Sequence, residues 1–295
     1  MCRFVLYMGP ELKMSSLVTE PAHSIVVQSY HSEEREEPLN GDGFGVAWYP
    51  KGGDETPAVF KSITPAWNNQ NLLNLSRVIH SDCLLAHVRA ASPGLPVIQT
   101  NCHPFIRQNL AFMHNGGIAD FKKVKRQLHT HLSDASYDWI QGSTDSETIF
   151  AIFADHYAAL QGDSSTERLV TALLETISSI ESIRGSFLGN SSNSAETDGI
   201  KLMGNDLNLA VTDGKSAVVS RYSTLGRKPN SLHIHTGHRY TCDAGEVTLT
   251  PCEEPTVLIS SEPLTQDGNW QSVAPNHLVI ANESLEVDIQ PISFH

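Results

Sequence analysis

MCRFVLYM (residues 1–8) places a cysteine directly after the initiator methionine and follows it with an apolar, strand-like run. The reading of Cys2 decides the fold. It can be an ordinary residue at the start of a buried strand, since free cysteine is among the most buried residue types. It can be a lipid attachment point. It can also be a nucleophile, if Met1 is removed as is common before a small second residue. In that case one residue carries both a thiol and an α-amine with a pKa of about 7.7–8.0, close to the pH at which a general base works best. The amine takes the thiol proton through a water and later returns it to the leaving group, as in N-terminal threonine nucleophiles. Position alone favours the buried strand; the rest of the chain has to overturn that.

The 295 residues are 40% hydrophobic and 18% charged, enough to bury a sizeable core in one large domain or two closely packed ones. A net charge of −13 disfavours nucleic acid and anionic membrane as partners, because both need a basic face. An anionic small-molecule substrate must be held by local cations against the overall field. No apolar run reaches the roughly 18 residues of a membrane span, and the start is too short for a signal peptide. Five scattered cysteines without a CxxC pair argue against a disulfide framework or a structural zinc knot. The expectation is a cytoplasmic protein that needs no metal or cofactor.

Strand-like runs recur at 3–8, 45–49, 83–90, 110–115, 207–213, 216–222, 256–261 and 277–281, each bounded by Gly, Pro, Asn or Asp. Asp213-Gly214 reads as the turn of a hairpin. Helical periodicity predicts helices over 71–79, 146–160 and 166–182. GNSSNSAETDG (189–199) reads as a flexible polar loop. Many strands with helices grouped between them point to an α+β fold, two packed sheets with helices outside.

Three stretches bear on Cys2. LLAHVRAAS ends an apolar strand with Arg89, whose planar fork suits bidentate capture of a carboxylate; a surface salt bridge is the plain alternative. In MHNGG, the Asn115 side-chain amide and the Gly116 N–H can form an oxyanion hole, although Asn-Gly alone is the commonest hairpin-turn signal. In GSTDSETIF, Ser143 or Thr144 with Glu147 makes a capping-box pattern, and Asp145 at the helix start can accept hydrogen bonds from a substrate ammonium.

Taken together and in this order, MCR, NGDGFGVAWY (40–49), HVRAAS, NCHPF (101–105), MHNGG and STDSE resemble the class-II glutamine amidotransferases. Within that family the chain is similar to the amidotransferase-like branch of the fungal glutathione-degrading complex, on ITPAWNNQNL (63–72) and QGSTDSE (141–147) above all. The resemblance implies a single domain over 2–295 with Met1 removed, folded as a four-layer αββα sandwich of the N-terminal-nucleophile (Ntn) type. It implies Cys2 as nucleophile and Asn115 with Gly116 as oxyanion hole. Arg89 then grips the substrate α-carboxylate and Asp145 its ammonium. Synthase-linked members read Arg-Trp-Ala-Thr-His where this chain has Arg89-Ala90-Ala91-Ser92-Pro93, so Ser92 is a substrate-binding candidate without a fixed role. The implied reaction is γ-glutamyl amide hydrolysis through a thioester, with glutathione as substrate and a metallopeptidase-like subunit as partner. The alternatives are a glutaminase supplying ammonia to a separate synthase, a hydrolase of another γ-glutamyl thiol conjugate, and a non-enzymatic adaptor in which Met1 blocks Cys2.

Other constellations carry less. His233, His235 and His238 have strand spacing with no carboxylate immediately beside them, so no metal site is assigned. GDGFG precedes a strand and is not GxGxxG, which disfavours a dinucleotide loop. EEREE (33–37) reads as a solvated loop. His103 and Glu262 read as buried, structurally hydrogen-bonded residues.

Overall fold

The computed structural model describes residues 2–34, 39–52, 55–92, 94–162, 164–191, 204–224, 228–243, 245–251, 254–266 and 268–294, with no side chains over 187–191. Met1 and residues 35–37 of the acidic run lie outside them. The strands are β1 (Arg3–Lys13), β2 (Phe44–Trp48), β3 (Ala58–Ser62), β4 (His80–Val88), β5 (Phe105–Arg107), β6 (Leu110–Gly117), β7 (Asp206–Thr212), β8 (Ala217–Arg221), β9 (His233–Thr236), β10 (His238–Asp243), β11 (Glu246–Pro251), β12 (Val257–Ser260), β13 (Gln271–Ser272), β14 (His277–Ala281) and β15 (Val287–Pro291). The helices are α1 (Ser15–Val18), α2 (Ile25–Gln28), α3 (Gln70–Ser76), α4 (Phe121–Thr130), α5 (Asp134–Trp139), α6 (Asp145–Ala159) and α7 (Ser165–Ser191).

One sheet has seven strands in the order β13-β9-β12-β1-β4-β2-β3, the other six in the order β15-β14-β8-β7-β6-β5, and β10 with β11 forms a separate ribbon. The layering follows from period-2 alternation along each strand. On β1, Phe4, Leu6 and Met8 join Leu85 of β4 and Ala111, Met113, Ala210 and Val219 of the other sheet in the central core. The intervening Val5 and Tyr7 face the opposite way, onto α1, α2 and α3. On the six-stranded sheet, Phe112, Leu207, Leu209 and Val211 pack outward against α4, α6 and α7. The result is helices, sheet, sheet, helices: four layers with an apolar core at each of three interfaces.

All eight strand-like runs are strands. The helix expected at 71–79 ends at Ser76, whereas the one expected at 166–182 runs on to Ser191. That helix takes in the first residues of the loop expected at 189–199, and the rest of that loop lies outside the described residues. Asn115-Gly116 is no hairpin turn: both residues continue β6 and pair with Asn208 and Leu207 of β7. Close approach overrides the turn preference there. A Cβ on Gly116, at φ +155°, would stand 1.8 Å from the Asp206 carbonyl oxygen, so only glycine lets the strands pair at that point.

Candidate active site

The site forms where the inward rows of the two sheets stop being apolar. Cys2 continues the row of Phe4 and Leu6 on β1. His87 and Arg89 continue the row of Cys83 and Leu85 on β4, and Asn115 continues the row of Ala111 and Met113 on β6. Arg3 is paired with Val88, which puts Cys2 opposite Arg89. The half-buried Cys2 thiol donates to the Ala90 carbonyl at 3.7 Å. The sheets are tied together beside this point by His87, whose Nε2–H donates across the gap to the His114 carbonyl at 3.1 Å. Burial holds His87 neutral, its pKa pushed down to about 3.

Cys2 is anchored through its neighbour. The Arg3 guanidinium donates from Nη1 to the Cys2 carbonyl at 3.1 Å. Its Nε and Nη2 reach Glu262 Oε1 at 2.7 and 2.6 Å, with both side chains buried. Glu262 also accepts from Ser32 and, at 2.9 Å, from the Glu33 amide; His23 Nε2 stands 3.2 Å away. Burial by itself would raise the Glu262 carboxyl, but hydrogen bonds from His23 and Ser32, the Arg3 charge and the Glu33 amide outweigh it, and its pKa falls to about 2.

Arg89 is 3% exposed. Its Nη1 and Nη2 donate to the carbonyls of Asp42 and Pro96, each at 3.3 Å. Among the described residues no carboxylate pairs with it. A buried guanidinium with donors to spare and no counter-charge is costly by itself, and an anion beside it would supply that charge. The strand end is held by GDGFG: Arg89 N–H donates to the Gly43 carbonyl at 2.8 Å, and Asp42 Oδ2 accepts from the Ala91 amide at 2.8 Å. Ser92 is exposed, and its carbonyl accepts from the Leu95 amide in a turn; among the described residues its hydroxyl makes no hydrogen bond.

On the other sheet, Asn115 is fully buried. Its carbonyl accepts from Asn230 Nδ2 at 3.2 Å, while its own Nδ2 has no acceptor among the described residues. Buried amide donors are rarely left unpaired, and an oxyanion beside Cys2 would satisfy this one. Asp145 opens α6, which is capped by the Thr144 hydroxyl accepting from Glu147 N–H at 3.2 Å. The expected capping box is only half made: Glu147 reaches past Thr144 to the amides of Gln141 and Gly142, at 3.0 and 2.6 Å. Asp145 Oδ2 accepts from Ile118 N–H at 2.8 Å and Oδ1 from Ser146 N–H at 2.9 Å, which fixes the carboxylate beside the end of β6. His114 adds a brace. Its Nε2–H donates to the Asp206 carbonyl at 3.1 Å, so Nδ1 accepts from the Ser146 hydroxyl at 2.9 Å.

The segment over Arg89 is latched at Pro96, whose carbonyl also accepts from Asn101 Nδ2 at 3.1 Å. Asn101 continues to the helix start, taking the Ser143 amide on Oδ1 at 2.9 Å and donating to its hydroxyl at 3.1 Å. Asp42, Asn101, Glu147, Arg3 and Glu262 thus position the site although none stood out as a functional candidate; the only sign of Asp42 and Asn101 was their place inside GDGFG and NCHPF. His103 is buried as expected but packs against His87, the rings tilted by 35° with centroids 4.2 Å apart, and neither of its ring nitrogens has a hydrogen-bond partner among the described residues. His233 and His235 sit on β9, and the described residues hold no cluster fit for a metal. Among them no helix is long and apolar enough to cross a membrane.

The profile described as glutamine amidotransferases class-II matches residues 11–290. The chain belongs to the class-II glutamine amidotransferases. Glutamine is the γ-amide of glutamate, so a member of this family is a hydrolase of γ-glutamyl amide bonds. The chain is 41% identical to the probable glutamine amidotransferase DUG3 of Saccharomyces cerevisiae, over 95% of this chain and 81% of that protein. It is 32% identical to the gamma-glutamyl-hercynylcysteine sulfoxide hydrolase of Mycobacterium tuberculosis, over 39% of this chain and 49% of that protein. The fold is shared with glutamine phosphoribosylpyrophosphate amidotransferase from B. subtilis, at a TM-score of 0.58 and 16% identity, covering 100% of this chain and 50% of that chain. The four layers are those of the Ntn amidotransferases.

Proposed function

We propose that this family member, with Met1 removed, is a γ-glutamyl peptide hydrolase that cleaves glutathione to glutamate and Cys-Gly. The observation that carries the reading is the buried Arg89, without a carboxylate partner among the described residues, facing Cys2 from the neighbouring strand. A cation there fits the α-carboxylate of a free γ-glutamyl group, and Asp145 fits its ammonium. The Cys2 amine takes the thiol proton, and the sulfur attacks the γ-carbonyl carbon. Asn115 Nδ2 and the Gly116 N–H stabilise the resulting oxyanion. The amine returns the proton to the departing nitrogen as the C–N bond breaks. Water then attacks the thioester and gives up a proton to the amine, and glutamate leaves as the thiol is restored. Ser92, exposed beyond Arg89, lies on the segment that would meet the leaving group.

Support for a leaving group larger than ammonia comes from the likeness to the gamma-glutamyl-hercynylcysteine sulfoxide hydrolase and from the branch motifs ITPAWNNQNL and QGSTDSE. The reading includes a cytoplasmic setting and a metallopeptidase-like partner subunit. The family name favours a second reading, a glutaminase that feeds ammonia to a separate synthase. One assay separates them: protein shown by intact mass to start at Cys2, given glutathione and glutamine in parallel, with and without a candidate partner. Glutamate with Cys-Gly from glutathione, and little ammonia from glutamine, supports the proposal. Ammonia from glutamine with glutathione untouched replaces it by the second reading.

A further inference from the structure

Away from Cys2, the edge strands β3 and β5 of the two sheets flank a cavity of about 380 Å³. Val59, Ile106, Phe105 and Trp139 give it apolar and aromatic walls, and Lys61 and Glu147 contribute the charges. It shares no lining residue with Cys2, Arg89, Asn115 or Asp145.

Lys61 is the anomaly. Its Nζ sits 4.8 Å from the centroid of the Phe105 ring, and among the described residues it has neither an ion pair nor a hydrogen-bond acceptor. An ammonium carries three donors, and a ring face satisfies them poorly, at about 0.5–1 kcal/mol for an exposed cation–π contact. Burial pulls the Lys61 pKa down to about 8, against the opposing pull of Cys102 and Glu147. Glu147 does not bridge to it, because its two oxygens are taken by the amides of Gln141 and Gly142. The cavity therefore presents an under-coordinated cation beside aromatic and apolar walls.

We propose that this cavity is a second ligand site, binding a small organic carboxylate with an aromatic or branched apolar body, the carboxylate on Lys61 and the body against Phe105, Ile106, Val59 and Trp139. The inference does not depend on the reaction assigned to Cys2.

The test uses 3-phenylpropionate and its uncharged amide, titrated calorimetrically into the full-length protein. The carboxylate binds about tenfold more tightly than the amide, a difference of ~1.4 kcal/mol. That preference disappears in Lys61→Met, which keeps the apolar stem, and persists in Lys61→Arg, which keeps the cation. Unfolding midpoints matching the parent protein show that both variants are folded. Equal affinity for the two probes overturns the proposal, as does a preference that survives Lys61→Met, or no saturable binding of the carboxylate up to about 10 mM, a threshold of roughly 3 kcal/mol.

Discussion

Glu262→Gln isolates the buried ion pair behind Cys2. The substitution removes the charge opposite Arg3, both side chains being buried. The carboxamide also turns an NH2 group toward either Arg3 or the Glu33 N–H, both of which need an acceptor. Breaking a buried pair by neutralising one partner costs about 3–5 kcal/mol. For a chain of this length, with an unfolding entropy of about 2.1 cal/mol/K per residue, that lowers Tm by about 5–8 °C. The Arg3 Nη1–Cys2 carbonyl bond links the pair to the thiol, and a misplacement of about 1 Å can cost roughly 10²-fold in rate. The paired variant Arg3→Met, Glu262→Leu separates the two effects. Replacing a buried pair by apolar groups is often neutral or stabilising, so urea titration shows part of the unfolding free energy restored, the remainder being the contacts that Ser32, His23 and the Glu33 amide made to the carboxylate. Turnover stays low, because nothing now holds the Cys2 carbonyl. A Glu262→Gln loss below about 1 kcal/mol, in the range of an exposed pair, refutes the burial argument. Turnover recovered in the paired variant refutes the anchoring argument.

Gly116→Ala forces a methyl to 1.8 Å from the Asp206 carbonyl oxygen. It destabilises by about 1–3 kcal/mol or more and lowers kcat by about 10²–10³ if the Gly116 N–H serves the oxyanion. Gly117→Ala meets nothing closer than Asp145 Oδ2 at 3.4 Å, and its Tm stays close to the parent; equal effects at both glycines count against the steric account. In acid, burial keeps the folded-state pKa of His87 at about 3 and that of His103 well below the usual histidine range. As pH falls from about 6.5 toward 3 the unfolded chain takes up protons that these residues refuse, and stability drops by up to about 1.4 kcal/mol per pH unit for each. Glu262, at about 2 when folded, adds its loss below about pH 4.5. Urea midpoints flat between pH 7 and 5 contradict this.

The strands were legible because eight of them carry β-branched or aromatic runs, with β1 alternating faces so cleanly that its two rows enter two different cores. α4 was not: FKKVKRQLHT buries only Val124 and Leu128, too little to mark a helix against its charges. The edge strands β3 and β15 are only half-buried and give a weak signal for the same reason. Cys2, Arg89, Asn115, Gly116 and Asp145 could be picked out as candidates from an ordered set of motifs, each with a bland reading of its own. The positioning residues were not, because their roles lie in contacts between distant segments, such as Asp42 with Arg89 and Arg3 with Glu262. Glu147 shows the limit of local rules. Its spacing from Thr144 fits a capping box, yet tertiary structure offered its carboxylate the amides of Gln141 and Gly142 instead.

Cys2 and Arg89 stand at the strand ends of one sheet, and Asn115 is on the other with Asp145 on the helix packed against it, the His87–His114 carbonyl bond crossing the gap beside them. Neither half makes the proposed site alone. During refolding, turnover is therefore a clock for the docking of the two sheets. Backbone circular dichroism reports strands and helices as they form, whereas activity returns only when the sheets close on each other. The interval between the two signals measures that last step.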